Sequence, residues 1–305
     1  MTVFLILLGK LLPLYAVIVL GYISGRVLKV HKESIAILLL YVLSPIIVFH
    51  GAFTTELNFG IAILPVFFLL SAYLFSGLAY ALGGKVWSDS TRNIFAYTAG
   101  TGNTGYFGIP VAMALLGPEV LGPVVLATMG LVLYESTLGF YITAKGTYSP
   151  RESLRKLLRL PSLYALIAGL LMNAGTVQLP ESYFSLADNF RGAYSILGMM
   201  IIGLGVSGFK TLAWDWSFLG LSFLTKFILW PLYSLLFTSL DAQSWHLLTP
   251  TMHSIVILLS LTPMAANTVV LATALNVKPE KAALGVLLTT LFALFYIPLA
   301  LSFLA

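Results

Sequence analysis

Ten apolar runs, at about 2–28, 34–53, 60–84, 92–116, 119–142, 160–178, 190–209, 216–239, 247–275 and 281–304, take up nearly the whole chain. A helix needs roughly 20 apolar residues to cross the hydrocarbon core. Inside that core every peptide group must find its partner within the protein. The runs therefore predict an all-α membrane protein with ten transmembrane helices. Only 9% of the 305 residues are charged, against about a quarter in soluble proteins. No extramembrane domain has room to form, so any chemistry must lie between helices. The first run starts at Thr2 without a basic leader or an A-x-A-like cleavage site, and reads as a retained span.

The chain has no cysteine, which excludes disulfides, thiolate nucleophiles and cysteine metal sites. His50, His246 and His253 stand apart from any H-E-x-x-H pair or carboxylate cluster, so no metal site is expected. The net charge of +5 does not point to nucleic acid, because the basic residues gather in alternate short connections. Thirteen lie after the odd-numbered runs, including Lys145, Arg151, Arg155, Lys156 and Arg159, whereas Arg191 alone follows an even-numbered one. By the positive-inside rule both termini are extracytoplasmic in a multi-pass protein of the plasma (cell inner) membrane. Trp214, Trp216 and Trp245, near predicted span ends, read as headgroup anchors.

The longest basic connection splits the chain into residues 1–148, a cytoplasmic connecting loop at 149–159, and residues 160–305. Each half carries five runs, so a repeated unit would be inverted relative to its twin. Placing Pro118-Glu119 on Pro279-Glu280 aligns 115–135 with 276–296 without a gap and matches six of 21 positions. That is weak support in apolar sequence. The helix breakers add to it, because Gly102 falls on Pro263 in the same register.

The fourth run contains Thr101-Gly102-Asn103-Thr104-Gly105-Tyr106-Phe107-Gly108-Ile109-Pro110, and the ninth Leu261-Thr262-Pro263-Met264-Ala265-Ala266-Asn267-Thr268. Gly102, Gly108, Pro110 and Pro263 are the expected helix breaks. Prolines lack an N–H and disfavour helix in the residue before them, and each could open a second half-helix. The N–H groups at such an end carry roughly half a positive charge. Two of them meeting at the midplane would attract an anion. Close helix packing at the glycines and simple proline kinks are the alternative. Glu135 is the only acidic residue well inside an apolar run, and intramembrane carboxylates are functional candidates. It could bind H+ or Na+, face the cytoplasmic end, or pair with Lys226. Lys10 and Lys226 could equally snorkel.

At these residues the chain resembles the auxin efflux carrier family, in its bacterial or archaeal form. Asn103-Thr104-Gly105-Tyr106-Phe107-Gly108-Ile109-Pro110 is similar to the family's fourth-span pattern, with Tyr106 where phenylalanine is common. Pro263 to Ala272 is similar to its ninth span, and Leu43-Ser44-Pro45-Ile46-Ile47-Val48-Phe49 fits a weaker pattern. The resemblance implies a 5+5 inverted repeat with broken, crossing helices in spans four and nine. It also implies a scaffold of spans 1, 2, 6 and 7 and a mobile transport domain of spans 3–5 and 8–10. It places a carboxylate such as malonate, malate or an auxin-like acid by the crossover, contacted by Asn103 and Asn267.

The expected function is secondary active or facilitative transport of small organic anions by an elevator mechanism, without enzymatic activity or cofactor. Asn103 and Asn267 would donate to the carboxylate, Thr104, Gly105 and Thr268 would line the site, and Glu135 would couple H+ or Na+. A uniporter needs no such residue. By analogy, scaffold helices would form a homodimer. A Na+/H+ exchanger of similar crossed-helix architecture is one alternative, though it normally relies on intramembrane aspartates, absent here. A channel or membrane sensor is another. Gly205-Val206-Ser207-Gly208 matches a rhomboid-protease string, but the predicted topology puts Ser207 on the opposite side from His246 and His253.

Overall fold

The computed structural model describes residues 2–54, 59–208 and 214–304. Among these, regular structure is helical throughout. The first half runs through α1 (Thr2–Arg26), α2 (Lys32–Thr54), α3 (Phe59–Gly83), α4 (Thr91–Gly100), α5 (Ile109–Leu116) and α6 (Leu121–Ala144). After it come α7 (Pro150–Leu157), α8 (Pro161–Ala174) and α9 (Glu181–Ser207). The chain ends with α10 (Trp216–Trp245), α11 (Pro250–Ser260), α12 (Asn267–Ala274) and α13 (Pro279–Leu304). Lys210, counted above among the basic connections, lies outside the described residues.

Six of the described helical stretches are long and apolar enough to cross a membrane: Lys32–Thr54, Ala62–Gly83, Leu121–Ala144, Glu181–Ser207, Trp216–Trp245 and Pro279–Ala300. A seventh results if α7 and α8, bent by 45°, are joined. The runs expected at 92–116 and 247–275 each form two helical pieces with non-helical chain between them, so neither gives a helix of span length.

Two boundaries depart from expectation. The connection at 149–159 is largely helical, because Ser149 and Glu152 form a reciprocal capping box at the start of α7. The run expected at 190–209 starts nine residues earlier, at Glu181 after Pro180. That places Arg191 inside a helix and not in a connection.

Proline explains much of the local geometry. Of the five described π-helical turns, three span Leu39–Leu43, Thr104–Gly108 and Thr225–Leu229. Each ends two residues before a proline: Pro45, Pro110 or Pro231. A proline ring collides with the carbonyl four residues back and cannot bond to it. In all three cases that carbonyl belongs to the middle residue of the turn. Widening the ladder there relieves the clash.

Small residues set the packing. Gly21 and Gly25 of α1 face Gly203 and Ser207 of α9, and a methyl at Gly21 or Gly203 would overlap the carbonyl of Met200 or Ile18. This is the small-x-x-x-small contact that lets membrane helices approach. α2 packs along α8, α3 along α4 and α6, and α12 against α13 and the start of α2.

Candidate functional site

α4 stops at Gly100, and helical geometry returns at Thr104. α11 stops at Ser260 and α12 starts at Asn267. The two non-helical segments touch: the Asn103 N–H donates to the Pro263 carbonyl at 2.8 Å. Gly102 makes room for this, since a Cβ there would lie 2.5 Å from Thr262 Oγ1.

Helix ends need partners for their last carbonyls, and the neighbours of α4 supply them. Trp230 Nε1 of α10 donates to the Ala99 carbonyl at 2.7 Å. The Tyr134 hydroxyl lies 3.3 and 3.2 Å from the carbonyls of Ala96 and Tyr97. At the other break, the Thr262 hydroxyl donates to the Leu259 carbonyl at 2.7 Å. Side chains thus bond carbonyls at the ends of both helices.

Glu135 joins the two segments. Thr101 Oγ1 donates to its Oε1 at 2.5 Å and Asn267 Nδ2 to its Oε2 at 2.7 Å. Tyr194 of α9 donates to Asn267 Oδ1 at 3.1 Å, which fixes the orientation of the amide. Lys226 of α10 is 3% exposed, and its Nζ lies 5.1 Å from the centre of the Trp230 ring. No ion pair between Lys226 and Glu135 occurs among the described residues. Pairing with Lys226 is one of the alternatives the sequence leaves open; the direct bonds to the carboxylate come from Thr101 and Asn267. Lys226 adjoins Gly102 and Thr104 from a separate small void and does not line the main cavity.

That cavity, of about 530 Å³, lies between α2, α6, α8, α9 and the two interruptions. Gly102, Asn103, Thr104, Gly105, Glu135 and Asn267 all line it. Asn103 is 2% exposed, and its Nδ2 has no hydrogen-bond partner among the described residues. The Tyr97 hydroxyl, also on the cavity wall, is likewise unpartnered among them. A buried donor without a partner costs about 1–3 kcal/mol, and both of these belong to residues that line the cavity.

The remaining expected site residues are placed differently. Thr268 is fully buried outside the cavity lining, because it follows Asn267 on the helix and turns into the core. Gly108 packs against Leu259 and Thr262, and Pro263 contributes its carbonyl to Asn103. Pro110 sits in the first turn of α5. Ser207 donates to the Leu204 carbonyl at 2.9 Å and faces Gly25, with no histidine among its described contacts. His253 bonds Asp241 at 2.8 Å, and Asp241 also accepts from the N–H groups of Leu247 and Leu248. Among the described residues no group of three or more His, Cys, Asp or Glu could hold a metal.

Sequence reasoning overlooked Thr101, Tyr97, Tyr194 and the structural use of Trp230. Thr101 adjoins the break and could have been found there. Tyr97 and Tyr194 sit in ordinary helical sequence and carry no local signal.

A helical chain of long apolar elements, packed around a mainly apolar cavity with a few polar groups, is the build of a multi-pass membrane protein. The family model described as Membrane transport protein matches residues 6–301, and the chain belongs to that family, the auxin efflux carriers, a family of transporters. No curated protein matches the chain.

Proposed function

We propose that this protein carries small organic anions, carboxylates in particular, across the plasma membrane by elevator-type alternating access. The carrying observation is the unpartnered, buried amide of Asn103 in a cavity it shares with Asn267 and Glu135. A carboxylate accepts hydrogen bonds and donates none, so it is the complement of the Asn103 amide and the Tyr97 hydroxyl. The basic side chain nearest the crossing among the described contacts, Lys226, stands against Gly102 and Thr104 from the small void and does not line the cavity. Partial charges at the helix starts by Thr104 and Asn267 assist there.

In this reading the ten runs are ten spans in two inverted halves, with the interruptions as the crossing of spans four and nine. α1, α2, α8 and α9 form the scaffold, through which two copies pair, and the rest is the moving part. The cavity between these groups supports that division. Both termini are extracytoplasmic. Glu135 exchanges H+ or Na+ with the solvent, and the bonds from Thr101 and Asn267 tie its charge state to the cargo site.

Uptake of radiolabelled malonate and of auxin into proteoliposomes, with and without pH and Na+ gradients, tests the proposal. Asn103→Ala should abolish uptake without loss of folded protein. Undiminished uptake by that variant, or wild-type uptake of neither acid, would sink it.

A further inference from the structure

The same cavity extends from Asn103, 2% exposed, to Arg191 and Asp188, whose side chains are 51% and 68% exposed. Arg191 lies three residues before Tyr194 on α9, about 4.5 Å of helical rise away, and Tyr194 holds Asn267. Arg191 thus lines the same cavity, roughly one helical turn along α9 from the residue that holds Asn267.

Its setting is specific. Arg191 Nη2 lies 3.0 Å from His50 Nε2, and His50 Nδ1 lies 3.2 Å from the Tyr183 hydroxyl. Arginine has donors only, so Nε2 must accept and the imidazole proton must sit on Nδ1, directed at Tyr183. His50 is therefore neutral in this arrangement. It orients Arg191 without adding or cancelling charge. Asp188 Oδ1 lies 3.4 Å from Nη2, a long and exposed contact of the kind that holds little energy. An incoming carboxylate can replace it. Much of the remaining wall is apolar, Ile47, Val48, Leu121 and Val125 among it.

We propose that Arg191, oriented by His50, clamps the second carboxylate of a short dicarboxylate whose first carboxylate lies at Asn103 and Asn267. This rests on the carboxylate reading above and narrows it. The planar fork of arginine matches a carboxylate with two parallel hydrogen bonds. A monocarboxylate of the same length would leave that fork unused, so the residue selects by charge at the far end of the cargo.

The test compares radiolabelled succinate and butyrate in proteoliposomes of the full-length protein. Arg191→Gln should raise KM for succinate about ten- to hundred-fold, the loss of one charge-assisted contact, and shift that for butyrate by less than about threefold. Arg191→Lys should recover only part of the succinate affinity, since an ammonium lacks the fork. It also serves as the second variant if the glutamine form does not fold. Wild-type uptake of succinate alone would support the clamp as well. A wild-type succinate KM in Arg191→Gln, or equal weakening of both acids, would overturn it, as would wild-type uptake of butyrate but not succinate. If wild-type vesicles take up neither succinate nor butyrate yet take up malonate or auxin, the clamp falls and the carboxylate reading stands; uptake of none of the four sinks both.

Discussion

Asn103 and Asn267 are chemically identical side chains on one cavity, yet truncation should cost them unequal stability. Asn267 bonds both Glu135 and Tyr194, at 2.7 and 3.1 Å. With Glu135 ionised, the first bond is worth about 1.5–3 kcal/mol and the second about 0.5–1.5 kcal/mol. Asn267→Ala should therefore cost about 2–4.5 kcal/mol and leave a carboxylate oxygen short of a donor. Asn103 Nδ2 has no described partner, so Asn103→Ala removes an unsatisfied donor and gives up only packing. Its stability should stay within about 1 kcal/mol of wild type. For a chain of this size 1 kcal/mol moves the midpoint by roughly 2–4 °C. Intrinsic tryptophan fluorescence during heating of the detergent-solubilised protein reads this, and the chain's 5 tryptophans provide the signal. Asn267→Ala should fall by at least about 4 °C and Asn103→Ala by less than about 4 °C, while uptake is lost in both. An equal fall in the two variants would show that the Asn103 amide is engaged within the resting protein, and the argument for a waiting ligand donor would fail.

Three further outcomes are expected. Trp230→Phe keeps the ring stack with Phe75 but loses the bond to the Ala99 carbonyl; it should lower stability by about 1–3 kcal/mol, and an unchanged melting midpoint would contradict the capping role. Gly203→Leu places side-chain carbon on the Ile18 carbonyl and should yield no monodisperse protein on gel filtration, whereas Gly192→Ala, with open space around its Cα, should behave as wild type. At the ends of α4 and α13, partial burial pushes the Asp89 carboxyl upward, but hydrogen bonds from Lys278 and Thr91 outweigh it and hold the group below the usual carboxylate range. A depressed native pKa stabilises above the unfolded value near about 4 and loses that contribution as pH falls through the native one. Melting curves of Asp89→Asn should therefore lack part of the wild-type decline below about pH 4, and superimposable pH profiles would refute the linkage.

The helical class and the family were legible in the chain because both rest on local signals: long apolar runs, and a breaker-rich string around Asn103 whose residue types are rare at such depth. The non-helical residues fall where Gly102 and Pro263 sit. The partners of Glu135 were not legible. Thr101 and Asn267 lie 34 and 132 residues from it along the chain, and no periodicity encodes a hydrogen bond across such distances. Lys226 was the intuitive partner on charge alone, but the geometry gave the carboxylate two neutral donors. Arg191 was hidden for a different reason. Counting it as a loop charge was sound by composition, yet Pro180 and Glu181 start the helix early enough to carry it onto the cavity wall. Ser149 and Glu152 were readable as a capping box and mark a helix in what composition alone had made a loop.

The bond from Asn267 to Glu135 also sets an order on biogenesis. Glu135 leaves the ribosome 132 residues before its amide partner, an interval of roughly ten seconds at ordinary synthesis rates. During that interval a carboxylate must reside among newly inserted helices without the donor that later holds it, either neutralised by a proton or drawn toward a headgroup. The finished carrier exists only once the later segment arrives to claim it.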